Sequence, residues 1–345
     1  MLSVWPALRT TPRRNSIRAV LRSSPRWAGS QSGLVTSQHH GLYPARPDQS
    51  SMKGMSTSQM NSPTDSNSSI RLGAAMTCTP MSQPAICPES DGYERFMGRW
   101  SRRLAPQLVR FASVNEADAV LDVGCGTGAL SGAAAAIPFT HVTGVDPSSS
   151  YISHAEKELA DARVRFEVGD ALALRFCGAT FDRTLSLLML NHLPDPAAGL
   201  REMIRVTRPN GIVAAAVWDY GHGMEMLRIF WDEANALDPT IGARDQRQMP
   251  LSRPGELTAL WHAQGLQNVE ERPLTIDLSF SSFDDFWQPF LSGQRPAGVY
   301  AASLSGPARR ALRSRLRNRL LMGRPDGGFT LRARAWAVRG VVSGT

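Results

Sequence analysis

Five short apolar runs with helical stretches between them leave this chain few folds to choose from. Ala119–Val123, His141–Val145, Val164–Val168, Phe181–Leu188 and Ile212–Val217 are continuous rather than alternating in hydrophobicity, as strands buried on both faces require. Between them lie Ala129–Ile137, Ser149–Ala160 and Pro196–Val206, the last opened by Asp195 as N-cap with Pro196 at the first helical position. Strand and helix in alternation predict an α/β fold with a doubly wound, mostly parallel sheet. Ahead of them, Tyr93, Phe96, Met97, Trp100, Leu104 and Leu108 recur at helical spacing and predict an amphipathic first helix. Beyond Trp218 the pattern loosens. Met224–Leu237, Pro254–Gln264, Phe283–Leu291 and Pro307–Leu320 read as helices, and Gln267–Arg272 and Ala333–Val341 as two further strands. Seven strands result, with lid elements around 223–265 and 280–322.

The 345 residues carry a formal charge of +8, a balance that on a folded face would suggest a nucleic-acid or membrane-surface partner. The charge is not spread that way. Residues 1–88 hold +7 of it, leaving +1 for residues 89–345, so a basic-surface argument fails for the body. Residues 1–88 are rich in Ser, Thr, Pro, Gln and Arg and lack sustained periodicity, which predicts a disordered leader. Its Arg-rich, acid-poor start fits a transit peptide, and hence a mitochondrial address. An over-extended reading frame starting truly at Met52, Met55, Met60, Met76 or Met81 explains it as well. No secretory signal is evident, and no apolar run approaches the roughly 20 residues of a bilayer span. Cys78, Cys87, Cys125 and Cys177 lack C-x-x-C spacing and are too few for a disulfide framework, so a reducing, cytoplasmic setting is the default. No metal-ligand spacing is present.

Chemistry concentrates in Val120-Leu-Asp-Val-Gly-Cys-Gly-Thr-Gly-Ala-Leu130, a strand running through a glycine loop into a helix. Glycines at alternate positions let backbone turn tightly and approach a ligand closely. Gly124, Gly126 and Ala129 also satisfy the loose dinucleotide pattern, so a Rossmann oxidoreductase has to be weighed. A pyrophosphate here would meet the Asp122 carboxylate at close range. A ligand bearing an ammonium and a sulfonium gains from the same carboxylate, and S-adenosylmethionine is such a ligand. Asp146, after the second strand, can accept both ribose hydroxyls; Asp170, after the third, can accept an adenine amine. A strand-end Asp is as often a helix cap or turn residue, but three on successive strands exceed what capping explains.

With these residues in view, the chain resembles the class I S-adenosylmethionine-dependent methyltransferases. Leu121–Gly128 is similar to their first motif, Gly144-Val-Asp-Pro-Ser148 to the acidic second, Gly169-Asp-Ala171 to the third and Phe181–Leu187 to the fourth. Arg205–Gly211 resembles their turn into the fifth strand, with Asn210 where a glycine is usual; Asn is the commonest substitute at positive φ. Tyr93–Ser101 and Ala335–Gly340 are similar to an uncharacterised bacterial subgroup. The resemblance implies that Asp122, Gly124, Gly126 and Gly128 hold the methionine portion of the donor, Asp146 its ribose, and Asp170 with Ala171 its adenine. It implies Ser186 and Leu187 on the sulfonium side, with Tyr93 and Arg99 or Arg102 closing over the donor and the Arg pairing with its carboxylate.

The acceptor side is less determined. His192 is the best-placed general base, or packs against the adjacent turn. Trp218, Tyr220 and His222 border the acceptor pocket unless Trp218 is core. Phe283, Phe286, Trp287 and Phe290 form lid core or touch a planar acceptor. The Asn-Pro-Pro-aromatic motif of nucleic-acid amino methylases is absent around Asn191. With the near-neutral body, that favours a small-molecule acceptor over nucleic acid. A non-catalytic nucleoside-binding module stays open as a further alternative, and oligomeric state is not readable.

Overall fold

The computed structural model describes residues 89–344 except 245 and 294; the leader lies outside the described residues. Seven strands form one sheet: β1 (Ala119–Val123), β2 (His141–Asp146), β3 (Val164–Val168), β4 (Phe181–Leu187), β5 (Thr207–Trp218), β6 (Gln267–Phe280) and β7 (Phe329–Val341). Their order is β3-β2-β1-β4-β5-β7-β6. The pairs from β3 to β5 are parallel, while β7 runs antiparallel to both β5 and β6. The expected doubly wound, mostly parallel sheet is present, with its order reversing direction between β1 and β4. Such a switch point opens a crevice at the carboxyl ends of the strands.

Period-two alternation sends successive side chains to two separate cores. Val120, Leu185, Ala214 and Ala216 pack on one face with Trp100, Leu104 and Leu108 of α2 (Arg99–Phe111). Leu121, Val123, Val213 and Val217 pack on the other with Leu200 and Met203 of α5 (Pro196–Val206) and Trp261 of α7 (Glu256–Ala263). The Trp261 indole N–H donates to the Val213 carbonyl at 3.1 Å, satisfying its one polar atom inside the core. Asp195 caps α5 by accepting the Ala198 N–H at 2.9 Å, with Pro196 at N1. Asn210 has φ +64°, the left-handed geometry its place in the turn requires.

The fold departs from these expectations at four places. β3 is an edge strand with largely exposed side chains, so its Val-Arg-Phe-Glu-Val sequence alternates and is not buried on both faces. The first helix is two helices, α1 (Glu89–Tyr93) and α2, joined by a π-helical turn at Glu94–Gly98. β6 and β7 are longer than expected because each continues past the sheet's edge in a shared hairpin-like pairing from Leu274↔Ala335 to Phe280↔Phe329. A helix without a clear sequence signature, α9 (Arg295–Ser303), follows α8 (Phe283–Trp287) and a 3-10 turn. Three further helices are α3 (Ala129–Ala135), α4 (Ser149–Glu158) and α6 (Glu225–Leu237). The basic α10 (Gly306–Leu321) buries Leu312, Leu316 and Leu320 and pairs Arg315 and Arg319 with Glu233 of α6. No helix among the described residues is long and apolar enough to cross a membrane.

Candidate functional site

β1 runs straight into the glycine loop, where Gly124, Gly126 and Gly128 take φ of +73°, +53° and +86°. A Cβ at Gly124 would come within 2.7 Å of Met189 Cβ, whereas one at Gly126 would meet no atom within 4 Å. Gly124 is needed for packing, and Gly126 presents bare backbone to open space. The loop is held to β2 by the Val145 carbonyl, which accepts from the Gly124 N–H at 2.8 Å and the Cys125 N–H at 3.0 Å. Asp146 extends the same seam: its carboxylate accepts from the Gly126 N–H at 3.0 Å and from the Ser148 N–H at 2.9 Å. Ser148 in turn caps α4 through the Tyr151 N–H. Asp146 therefore both orders the loop and stands at the edge of the cavity.

That cavity lies at the β1–β4 switch point and gathers Tyr93, Gly124, Gly126, Asp146, Asp170, Ala171, Leu187 and His192. Pro147, Tyr151, Leu188, Met189, Leu193 and Arg295 line it too, none of them among the expected site residues. Asp170 steadies its turn by accepting the Leu172 N–H at 2.9 Å. A narrower second cavity shares Tyr93, Leu188, His192 and Arg295 with the first and adds Phe96, Met97, Trp218, Tyr220 and Gln246. Tyr93 marks the boundary between the two. Its hydroxyl hydrogen-bonds Ser101 at 3.0 Å, and its ring contacts Tyr151 at 5.6 Å.

Several named residues sit elsewhere. Asp122 is buried behind the loop, where one oxygen accepts from the Ser131 hydroxyl at 2.7 Å and the other has no partner. Gly128 packs toward Leu159, Ala155 and Phe166. Ser186 is fully buried with its hydroxyl unpaired. Arg102 is paired with Glu94, which also accepts from the Thr127 hydroxyl, so the π turn is latched onto the glycine loop. Gly98 makes room for that Glu94 carboxylate, which a Cβ there would strike. Arg99 is committed to Asp285 at 2.6 Å and stacks on Trp100. His222 lines neither cavity; its backbone N–H donates to Asp219, which also accepts from Arg334 Nε at 2.9 Å. Trp287 lies in the lid core against Phe290. Arg295 was the one cation missed, because α9 carries no periodic pattern and only the lid's folding brings it over the strand ends.

Three side chains have strongly displaced titrations, and one of them, the Cys125 thiol, is pushed well up by burial. Burial raises Asp122 from 3.8 to about 7, opposed by the Ser131 hydrogen bonds and reinforced by Asp146. Burial, with the nearby Arg295 charge, lowers His192 from 6.5 to about 4, so its imidazole is neutral near pH 7. For Asp122 the linkage runs one way. The unfolded chain releases this proton near 3.8 and the folded one keeps it to about 7, so stability falls as pH rises between those values. Asp122→Asn is expected to flatten that fall and to be more stable than the parent at pH 8 by roughly 4 kcal/mol. Urea unfolding at pH 5 and pH 8 measures it, and equal pH slopes for parent and variant would refute the assignment.

A crossover α/β sheet with a glycine loop, strand-end carboxylates and a cavity at the switch point defines a nucleoside-binding domain. Residues 120–211 match the family model described as a methyltransferase domain. A 2-methyl-6-phytyl-1,4-hydroquinone methyltransferase of Synechocystis is 36% identical over 33% of this chain and 36% of its own length. The 27-O-demethylrifamycin SV methyltransferase of Amycolatopsis mediterranei is 34% identical over 32% of this chain and 43% of its own. A malonyl-[acyl-carrier protein] O-methyltransferase of Erwinia pyrifoliae is 32% identical over 52% and 63%. The chain thus spans about two fifths of the length of the first two relatives.

Proposed function

We propose that this chain transfers a methyl group from S-adenosylmethionine to a small-molecule acceptor. The reading rests above all on Asp146, whose carboxylate sits at the cavity edge beside the bare backbone of Gly126. The ribose diol of a nucleoside can donate hydrogen bonds to that carboxylate, and it is the methyltransferase relatives that favour S-adenosylmethionine over a dinucleotide there. The small-molecule methyltransferases among the relatives support the same class.

In this reading Asp146 binds the donor ribose, Asp170 and Ala171 its adenine, and Gly124, Gly126 and Leu187 the methionine arm. Asp122, Gly128 and Ser186 support the loop from behind. The donor, when bound, supplies an electrophilic methyl on a sulfonium. The chain's task is to align that methyl with the acceptor for in-line displacement, with Tyr93 and Leu188 walling the passage between the two cavities. Phe96, Met97, Trp218 and Tyr220 form the acceptor chamber. The free thiols Cys125 and Cys177 suit the reducing cytoplasmic setting we infer.

Calorimetry with the full chain distinguishes this from an oxidoreductase: saturable binding of S-adenosylmethionine and its demethylated product is expected, and binding of NAD(H) instead would overturn it. Release of S-adenosylhomocysteine on addition of extract small molecules separates an enzyme from a binding module. If His192 is the general base, kcat/KM rises through about pH 4 and is flat near neutrality. A steep rise between pH 6 and 8 would remove His192 from that role.

A further inference from the structure

We propose that the acceptor carries a carboxylate and that Arg295 is the residue that binds it. This rests on the methyl-transfer reading and names the substrate class for the same site. Arg295 begins α9 with φ +60°, a conformation that residues bearing a Cβ rarely adopt, and the lid fold that holds it there turns the side chain over the strand ends. It lines both cavities. Its guanidinium lies 5.6 Å from the centre of the Tyr93 ring and 3.5 Å from His192 Nε2.

Among the described residues, no carboxylate comes within ion-pair distance of Arg295. Three nearby arginines are matched, Arg99 with Asp285, Arg102 with Glu94 and Arg313 with Asp284, while Arg95 and Arg103, which make no ion pair among the described residues, are exposed to solvent. Arg295 is half-buried, so it forfeits part of its hydration without a counter-ion. The neutral His192 adds no second positive charge at neutral pH, leaving Arg295 as the cation of a chamber whose lining includes Phe96, Met97, Trp218, Tyr220 and Gln246. A planar guanidinium fork matches a carboxylate in bidentate geometry, and the chamber of about 20 Å³ behind it must widen to admit the acceptor's body.

The donor's own methionine carboxylate presents the same chemistry, so the test separates the two sources. The full chain is first saturated with S-adenosylhomocysteine, and binding of phenylacetate and hexanoate is compared with that of their amides by ligand-observed NMR. We expect the carboxylates to bind at least about tenfold more tightly than the amides. Arg295→Met should erase that preference and Arg295→Lys keep part of it, with S-adenosylhomocysteine affinity unchanged in both. Equal binding of acids and amides, or no carboxylate binding at millimolar concentration, overturns the proposal. So does tighter binding of phenyl phosphate than of phenylacetate, or a loss confined to S-adenosylhomocysteine in Arg295→Met, which would place the residue on the donor. Failure of the parent to bind S-adenosylhomocysteine at all would instead overturn the methyl-transfer reading.

Discussion

Asp146→Ala is expected to weaken S-adenosylmethionine binding by about 2–3 kcal/mol, or about 30- to 150-fold, using the magnitudes of charge-assisted hydrogen bonds. The loss has two sources in the structure. The carboxylate that would accept the ribose hydroxyls disappears, and so does the acceptor for the Gly126 and Ser148 amides, which frees the glycine loop from the end of β2. Asp146→Asn keeps one acceptor oxygen and should fall between parent and alanine variant. Asp170→Ala removes an exposed carboxylate that holds only its own turn and should cost less. Calorimetric titration of the three variants measures the order, and an Asp146→Ala affinity equal to the parent's would refute the ribose assignment.

Trp287→Ala is expected to cost about 3–5 kcal/mol of stability, the usual range for emptying a buried Trp site, and to leave donor affinity and acceptor KM near parental values in the protein that remains folded. Trp287 is 2% exposed and packs among Phe283, Phe286 and Phe290 in the lid core, lining neither cavity. Thermal melting should show a drop of roughly 10 °C. An unchanged melting point with a raised acceptor KM would return Trp287 to the acceptor pocket.

Much of this architecture is legible in the sequence because it is local. The buried strands announce themselves as apolar runs, Asp195-Pro196 marks the start of α5, and glycines at 124, 126 and 128 coincide with three left-handed backbone positions. Much of the larger cavity is legible for the same reason: most of its residues follow the ends of β1, β2, β3 and β4 directly, so locating the strands locates the acids. Identity of a residue does not report which way its side chain is buried, however. Asp122 and Asp146 both end central strands, yet Asp122 turns behind the loop to Ser131 while Asp146 turns to the cavity edge.

Edges and long-range partners are what local pattern does not encode. β3 resembled its central neighbours until its place at the sheet's end exposed it. Arg99 and Arg102 looked free on one helix face, but Asp285, 186 residues away, and Glu94, folded back across the π turn, had already taken them. The sequence by itself determined the doubly wound sheet, the glycine loop and the acids at the strand ends, because each follows from periodicity and backbone preference within a few residues. Only the tertiary structure decided which cation lines the two cavities. Arg295 reaches His192 across 103 residues, a proximity set by how the lid packs on the sheet.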